Sequence, residues 1–147
     1  MGEGAQKPKL QAAAGGLRNV RFLPFFPASK IPSVLAAADA HIITVKHGLE
    51  GVVVPSKLYG ILAAGKPVLG LVPAWSDVGR IVNEAGCGYV ACPLDGLEEF
   101  IEAVRELSND PERLRRMGEA ARAAAPNYDR FKELQKFVEI IGHLTSN

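Results

Sequence analysis

Little in this sequence is in excess, and its shortages exclude several classes of function. Lysine and arginine together number 17 and aspartate and glutamate 16, for a net charge of +1. No basic excess or stripe is available to a phosphate backbone, so no nucleic-acid partner is expected. No apolar run has the length of a membrane span, because Asp39, Lys46 and Gly65-Lys66 interrupt the candidates. The opening residues, MGEGAQKPKLQ, contain no apolar core of a secretory leader. A reducing cytoplasm is therefore the expected compartment. Only two cysteines occur, Cys87 and Cys92. Their spacing fits neither zinc ligation nor a redox dithiol, and they read as small apolar residues beside a strand. The three histidines, His41, His47 and His143, form no H-x-x-x-H or H-E-x-x-H pattern. No metal site and no cofactor are expected from them.

What remains is an ordinary globular composition. The 147 residues are 48% hydrophobic and 22% charged, enough to bury one core. Short apolar runs alternate with amphipathic segments. Strands are expected at Asn19–Leu23, Ala40–Val45, Lys66–Val72 and Cys87–Cys92. Helices are expected at Ala28–Asp39, with Ser29 or Ser33 as cap and Pro32 in the first turn, and at Ser56–Gly65 and Ser76–Gly86, each stopped by its glycine. Further helices are expected at Asp95–Asp110, with Leu97, Phe100, Ile101, Val104 and Leu107 on one face, and from Asp110, with Pro111 at its first position. A terminal helix, Tyr128–Leu144, places Phe131, Leu134, Phe137, Val138 and Ile141 on one side. No internal repeat is present.

Strands alternating with helices predict an α/β fold, a Rossmann-like parallel sheet with helices on both faces. Ligands of such sheets bind beyond the carboxyl ends of the strands, at helix N-termini. The segment GVVVPSKLYGILAAGKPVLG (Gly51–Gly70) fits that geometry. Ser56 is a good N-cap, Pro55 fixes the chain entering the helix, and the amides of Lys57 and Leu58 are expected to be free. Free amides, the helix dipole and the Lys57 ammonium all favour an anion there. A capped core helix without a ligand is the alternative.

These residues also carry a resemblance. EGVVVPSKLYGILAAGKPVL resembles the C-terminal, nucleotide-sugar-binding half of retaining GT-B glycosyltransferases, nearest to the group 1 (family 4-like) branch that builds bacterial surface polysaccharides. NVRFLPFFPASKIPSVLAAAD, SDVGRIVNEAGCGYV and NDPERLRRMGEAARAAA resemble flanking motifs of that family, in the family's order. The likeness spans nearly the whole chain and is silent on which sugar is moved. It implies a UDP- or GDP-sugar donor, a metal-independent transfer of a hexosyl group to a glycan or lipid-linked acceptor, and diphosphate-binding amides at Ser56, Lys57 and Leu58. Glu50 and Gly51 match the loop near the donor sugar's hydroxyls, although Glu50 also reads as a solvated loop acid. Gly60 stands where the family often has a ribose-binding Glu. Leu23 to Phe26 match the nucleobase loop, with Phe25 either stacking on a base or serving as a core aromatic. Asp77 matches an acidic position, or is simply an acid at a helix start. His47 lies near the presumed sugar site or is a plain loop histidine. A sugar-nucleotide epimerase fits the fold but not the Pro-Ser-Lys branch.

The resemblance implies one further set of expectations. Residues 1–147 correspond to part of the family's donor-binding domain, without its first strands, its first glycine loop or its acceptor domain. In a sheet ordered 3-2-1-4-5-6 this leaves 40–45 as an edge, expected to pair with 19–23 or with a second copy of the chain. The terminal helix, which in the family packs back toward the other domain, is expected to offer its apolar face to a partner. The chain is then either a donor domain inactive without a separate N-terminal domain, or a non-catalytic remnant that associates with itself.

Overall fold

A computed structural model describes residues 4–46, 48–49, 53, 55–129, 134–135 and 138–142. The chain divides into two compact units, Met1–Val34 and Leu35–Asn147.

The first unit holds a seven-residue helix, α1 (Lys7–Ala13), and a 3-10 turn, Ala28–Lys30. Helix α1 has no apolar period to announce it. Its signals are Pro8 in the first turn and the helix-favouring alanines at its end. The short helix α2 (Ile31–Ala36) follows. Ser29 lies inside the 3-10 turn and Ser33 inside α2, so neither caps a helix. Asn19–Leu23 is not a strand. Its residue types suit one, but a strand exists only through its ladder of hydrogen bonds, and this segment makes none. Among the described residues the sheet has three strands, not four, and 19–23 is not one of them.

In the second unit β1 (His41–Thr44), β2 (Val68–Leu71) and β3 (Gly88–Ala91) form a parallel sheet in chain order, with Ile42 opposite Leu69 and Leu69 opposite Tyr89. Two helices make the crossovers, α3 (Lys57–Ala63) and α4 (Asp77–Ala85). Two more follow, α5 (Leu97–Ser108) and α6 (Pro111–Ala124), and then a second 3-10 turn, Ala125–Tyr128. The expected α/β architecture is therefore present, with the period-2 alternation of β2 dividing the core. Leu69 and Leu71, with Tyr89 and Ala91 of β3, meet Phe100, Val104 and Leu107 of α5 and Leu114 and Met117 of α6. The fully buried Val68 belongs to the opposite side of the strand, where Leu58, Ile61 and Leu62 of α3 and Val78 and Val82 of α4 are also buried.

Helix α5 turns inward a narrower stripe than its sequence suggests. Phe100 and Leu107 are buried, whereas Leu97 and Ile101 stay exposed. Of the terminal helix, residues 134–135 and 138–142 are helical. Leu134, Val138 and Ile141 are exposed there, and Phe131 and Phe137 lie outside the described residues.

Local chemistry fixes the helix ends. Asp110 accepts from the Arg113 amide at 2.8 Å and Pro111 takes the first turn of α6. Gly65 (φ 65°) and Gly86 (φ 61°) supply the left-handed residues after α3 and α4. The end of α3 is also held by α6. Arg122 Nη2 donates to Ala64 O at 3.2 Å, and a Cβ on Gly118 would lie 2.5 Å from Gly65 O.

Both cysteines are free thiols. Burial pushes the Cys87 thiol above its ordinary value, and its Sγ donates to Val82 O at 3.8 Å. Desolvation, helped by Glu84, also raises the Tyr128 phenol. The sign follows directly. The unfolded chain releases these protons before the folded one does, so stability is complete below the unfolded value and falls as pH climbs from about 9 toward the raised folded value. Iodoacetamide is expected to label Cys92 in the native protein and Cys87 only after unfolding. Mass spectrometry of the labelled peptides reads this directly, and equal labelling in the native state would contradict the buried placement of Cys87.

Candidate functional site

The candidate site lies where the chain leaves β1 and enters α3. β1 ends at Thr44 and α3 begins at Lys57, so the Ser56 turn stands on the carboxyl side of a parallel strand. Pro55 is half-buried, while Ser56 and Lys57 are exposed. Glu50, Gly51 and His47 lie outside the described residues.

Two expectations about this turn are corrected. Ser56 occupies the N-cap position, but its backbone is helical (φ −56°, ψ −21°) and its side chain makes no capping bond. An extended N-cap is what turns the hydroxyl back onto the second or third helical amide, and Ser56 has the wrong ψ for that. The Leu58 amide is not free either. It donates to Pro55 O at 2.9 Å, closing a tight turn ahead of the helix, and the Leu58 side chain is fully buried. Among the described residues the Lys57 amide has no such partner. An anion here would meet the Lys57 amide, the Ser56 hydroxyl and the Lys57 ammonium, with support from a helix of two turns.

Gly60 has a packing reason. A Cβ there would approach Leu35 Cδ1 at 3.0 Å, so a side chain at this position would need the buried Leu35 to yield. Leu35 thus limits the room for a side chain at this position. In the first unit, Leu23 is exposed and Phe25 is 72% exposed. Phe25 is thus not a core aromatic. His41 is structural, since its Nε2 donates to Leu35 O at 2.9 Å. Asp77 begins α4, directly after its cap. Ser76 Oγ accepts from the Gly79 amide at 3.1 Å and donates to Pro73 O at 2.7 Å.

A cavity of about 340 Å³ lies at the other end of the sheet, where the chain enters its strands, lined by Asp39, Lys66, Arg115 and Arg122 among others. Its arginines are already engaged. Arg115 pairs with Glu112 and Glu119, which holds the guanidinium's pKa up and the Glu112 carboxyl's below its ordinary value. Arg122 caps α3. No helix among the described residues is long and apolar enough to cross a membrane.

A three-stranded parallel sheet with helices packed on it is a Rossmann-like α/β architecture. Residues 1–124 match the family described as glycosyl transferases group 1, and the chain belongs to that family. It is 30% identical over 151 aligned residues to a probable glycosyltransferase, WbjE, of Pseudomonas aeruginosa, covering 99% of this chain and 36% of that protein. It is also 30% identical over 108 residues to a putative colanic acid biosynthesis glycosyl transferase, WcaI, of Escherichia coli strain K12, covering 72% of this chain and 26% of that protein. The chain thus spans about a third or less of these relatives. No solved structure matches it at a comparable level.

Proposed function

We propose that the chain is a donor-binding part of a glycosyltransferase. It holds a nucleoside diphosphate sugar, UDP- or GDP-linked, for transfer of a hexosyl group to a glycan or lipid-linked acceptor. The observation that supports this most is the exposed Ser56-Lys57 turn beyond the carboxyl end of β1, in a chain of the group 1 family. The turn offers the leaving diphosphate an amide, a hydroxyl and an ammonium, which need no metal to act. In this reading Glu50 and Gly51 serve the sugar hydroxyls. Transfer itself requires an acceptor-binding domain, supplied by further sequence or by a separate chain. Holding two reactants in register is worth effective molarities of about 10⁵–10⁸ M, which a donor site alone does not provide.

Calorimetric titration with UDP, GDP and their hexose conjugates tests this. One nucleotide series is expected to bind, and Lys57→Ala is expected to weaken it about tenfold, the size of one partly screened charge-assisted hydrogen bond. Absence of binding by every nucleotide would remove the reading. A second reading, a non-catalytic chain that associates with itself, draws on the edge strand β1, where Ile42 is 60% exposed. Light scattering during size-exclusion chromatography separates the two, because only the second requires a dimer without nucleotide.

A further inference from the structure

The chain has one tryptophan, and it is 66% exposed. An indole left in water is costly unless something else covers it, since tryptophan normally buries most of its large apolar surface. Trp75 nevertheless stands on rigid backbone. It is the third residue of the turn Pro73–Ser76, closed by the Ser76 amide donating to Pro73 O at 3.0 Å. The Ser76 hydroxyl bonds the same carbonyl, and Ser76 is itself buried. From below, Gly79 of α4 comes so close that a Cβ would lie 2.5 Å from Pro73 O and 2.7 Å from Ala74 O. A fixed backbone carrying an exposed aromatic ring is a preorganised contact, with little left to order on binding.

Its surroundings choose the ligand. The turn follows the carboxyl end of β2, and the β3–α5 loop leaves the adjoining strand at the same edge, tied there by the Val72 amide donating to Ala91 O at 2.9 Å. These two segments and the starts of their helices carry four carboxylates, Asp77, Asp95, Glu98 and Glu99, against one cation, Arg80 in the first turn of α4. Four carboxylates against one guanidinium disfavour a phosphate or an anionic lipid surface. The carboxylates accept hydrogen bonds from hydroxyls, as a neutral sugar requires. The C–H face of a pyranose ring supplies the flat apolar surface that an indole prefers.

We propose that Trp75 is a stacking platform for a neutral sugar ring at the carboxyl edge of the sheet. Assigning that sugar to the acceptor rests on the donor-binding reading above; the platform itself does not. The test uses the full chain, whose indole emission comes from Trp75 alone. Methyl pyranosides of glucose, galactose, mannose and N-acetylglucosamine are titrated up to their solubility limits, followed by UDP and GDP, and by vesicles of neutral and of anionic phospholipid. At least one glycoside is expected to change the emission saturably, while nucleotides and vesicles leave it unchanged. Trp75→Ala is expected to weaken calorimetric binding of that glycoside about tenfold or more, Trp75→Phe to weaken it less, and neither to alter nucleotide affinity. The exposed side chain makes both variants safe for folding, which circular dichroism checks. The platform is overturned if no glycoside changes the emission, if Trp75→Ala binds sugar as the parent does, or if nucleotide or vesicles alone produce the change. Sugar binding without nucleotide binding would instead remove the donor reading and leave the platform standing.

Discussion

Gly88→Ala is expected to leave little folded protein. Gly88 opens β3 directly opposite Val68 of β2. A Cβ at this position would lie 1.8 Å from the Val68 carbonyl oxygen, 2.7 Å from its carbon and 3.0 Å from its nitrogen. All three are backbone atoms of the central strand, and the Val68 amide is itself bonded to Cys87 O at 3.0 Å. A side chain in the way would rotate; this backbone has to translate, taking the strand's ladder with it. Overpacking costs about 1–3 kcal/mol when side chains yield, so about 3 kcal/mol or more is expected here. Domains of this size hold only about 5–15 kcal/mol in total. Urea unfolding followed by circular dichroism measures the loss. An alanine protein with the parent's midpoint would show that β3 does not lie on β2 in this register.

Leu58→Ala should be the next most damaging change, for a different reason. Leu58 sits in the first turn of α3 with no exposed surface. Truncating a buried leucine costs about 2–5 kcal/mol, through lost transfer energy and the cavity left behind. A seven-residue helix has almost no stability of its own, so α3 depends on this packing. Thermal unfolding is expected to fall by roughly 5–15 °C. Lys57→Ala, one residue away and exposed, is expected to change stability by no more than about 0.5 kcal/mol. The pair separates scaffold from site: Leu58 sets the melting temperature and Lys57 sets the ligand affinity. A Leu58→Ala protein that melts with the parent would mean that α3 is not packed as described.

The features legible in the sequence were those encoded within one turn of chain. Ser76 with Gly86, and Asp110 with Pro111, state where α4 and α6 begin or end, because caps and stops are local chemistry. The features that were not legible depend on distant partners. Residues 19–23 have the composition of a strand, but a strand is made by its neighbour. Leu97 and Ile101 extend the apolar stripe of α5, yet the covered surface ends at Phe100 and Leu107. At the candidate site, Pro-Ser-Lys marked the helix start correctly. The backbone angles of Ser56 then decided which amides were available, and residue types do not encode ψ to that accuracy. The crowding of Gly60 by Leu35 was equally hidden, since the two lie far apart in sequence.

The spatial order of the strands repeats their order along the chain, and this bears on how the protein emerges from the ribosome. Each new strand finds its neighbour already made, so the sheet grows from one side during synthesis without waiting for a late insertion. The covering of its two surfaces is not so even. Leu69, Leu71 and Tyr89 are translated well before Phe100, Leu107, Leu114 and Met117, which shield them. For that interval the nascent chain displays one greasy wall, and it is there that a chaperone would take hold.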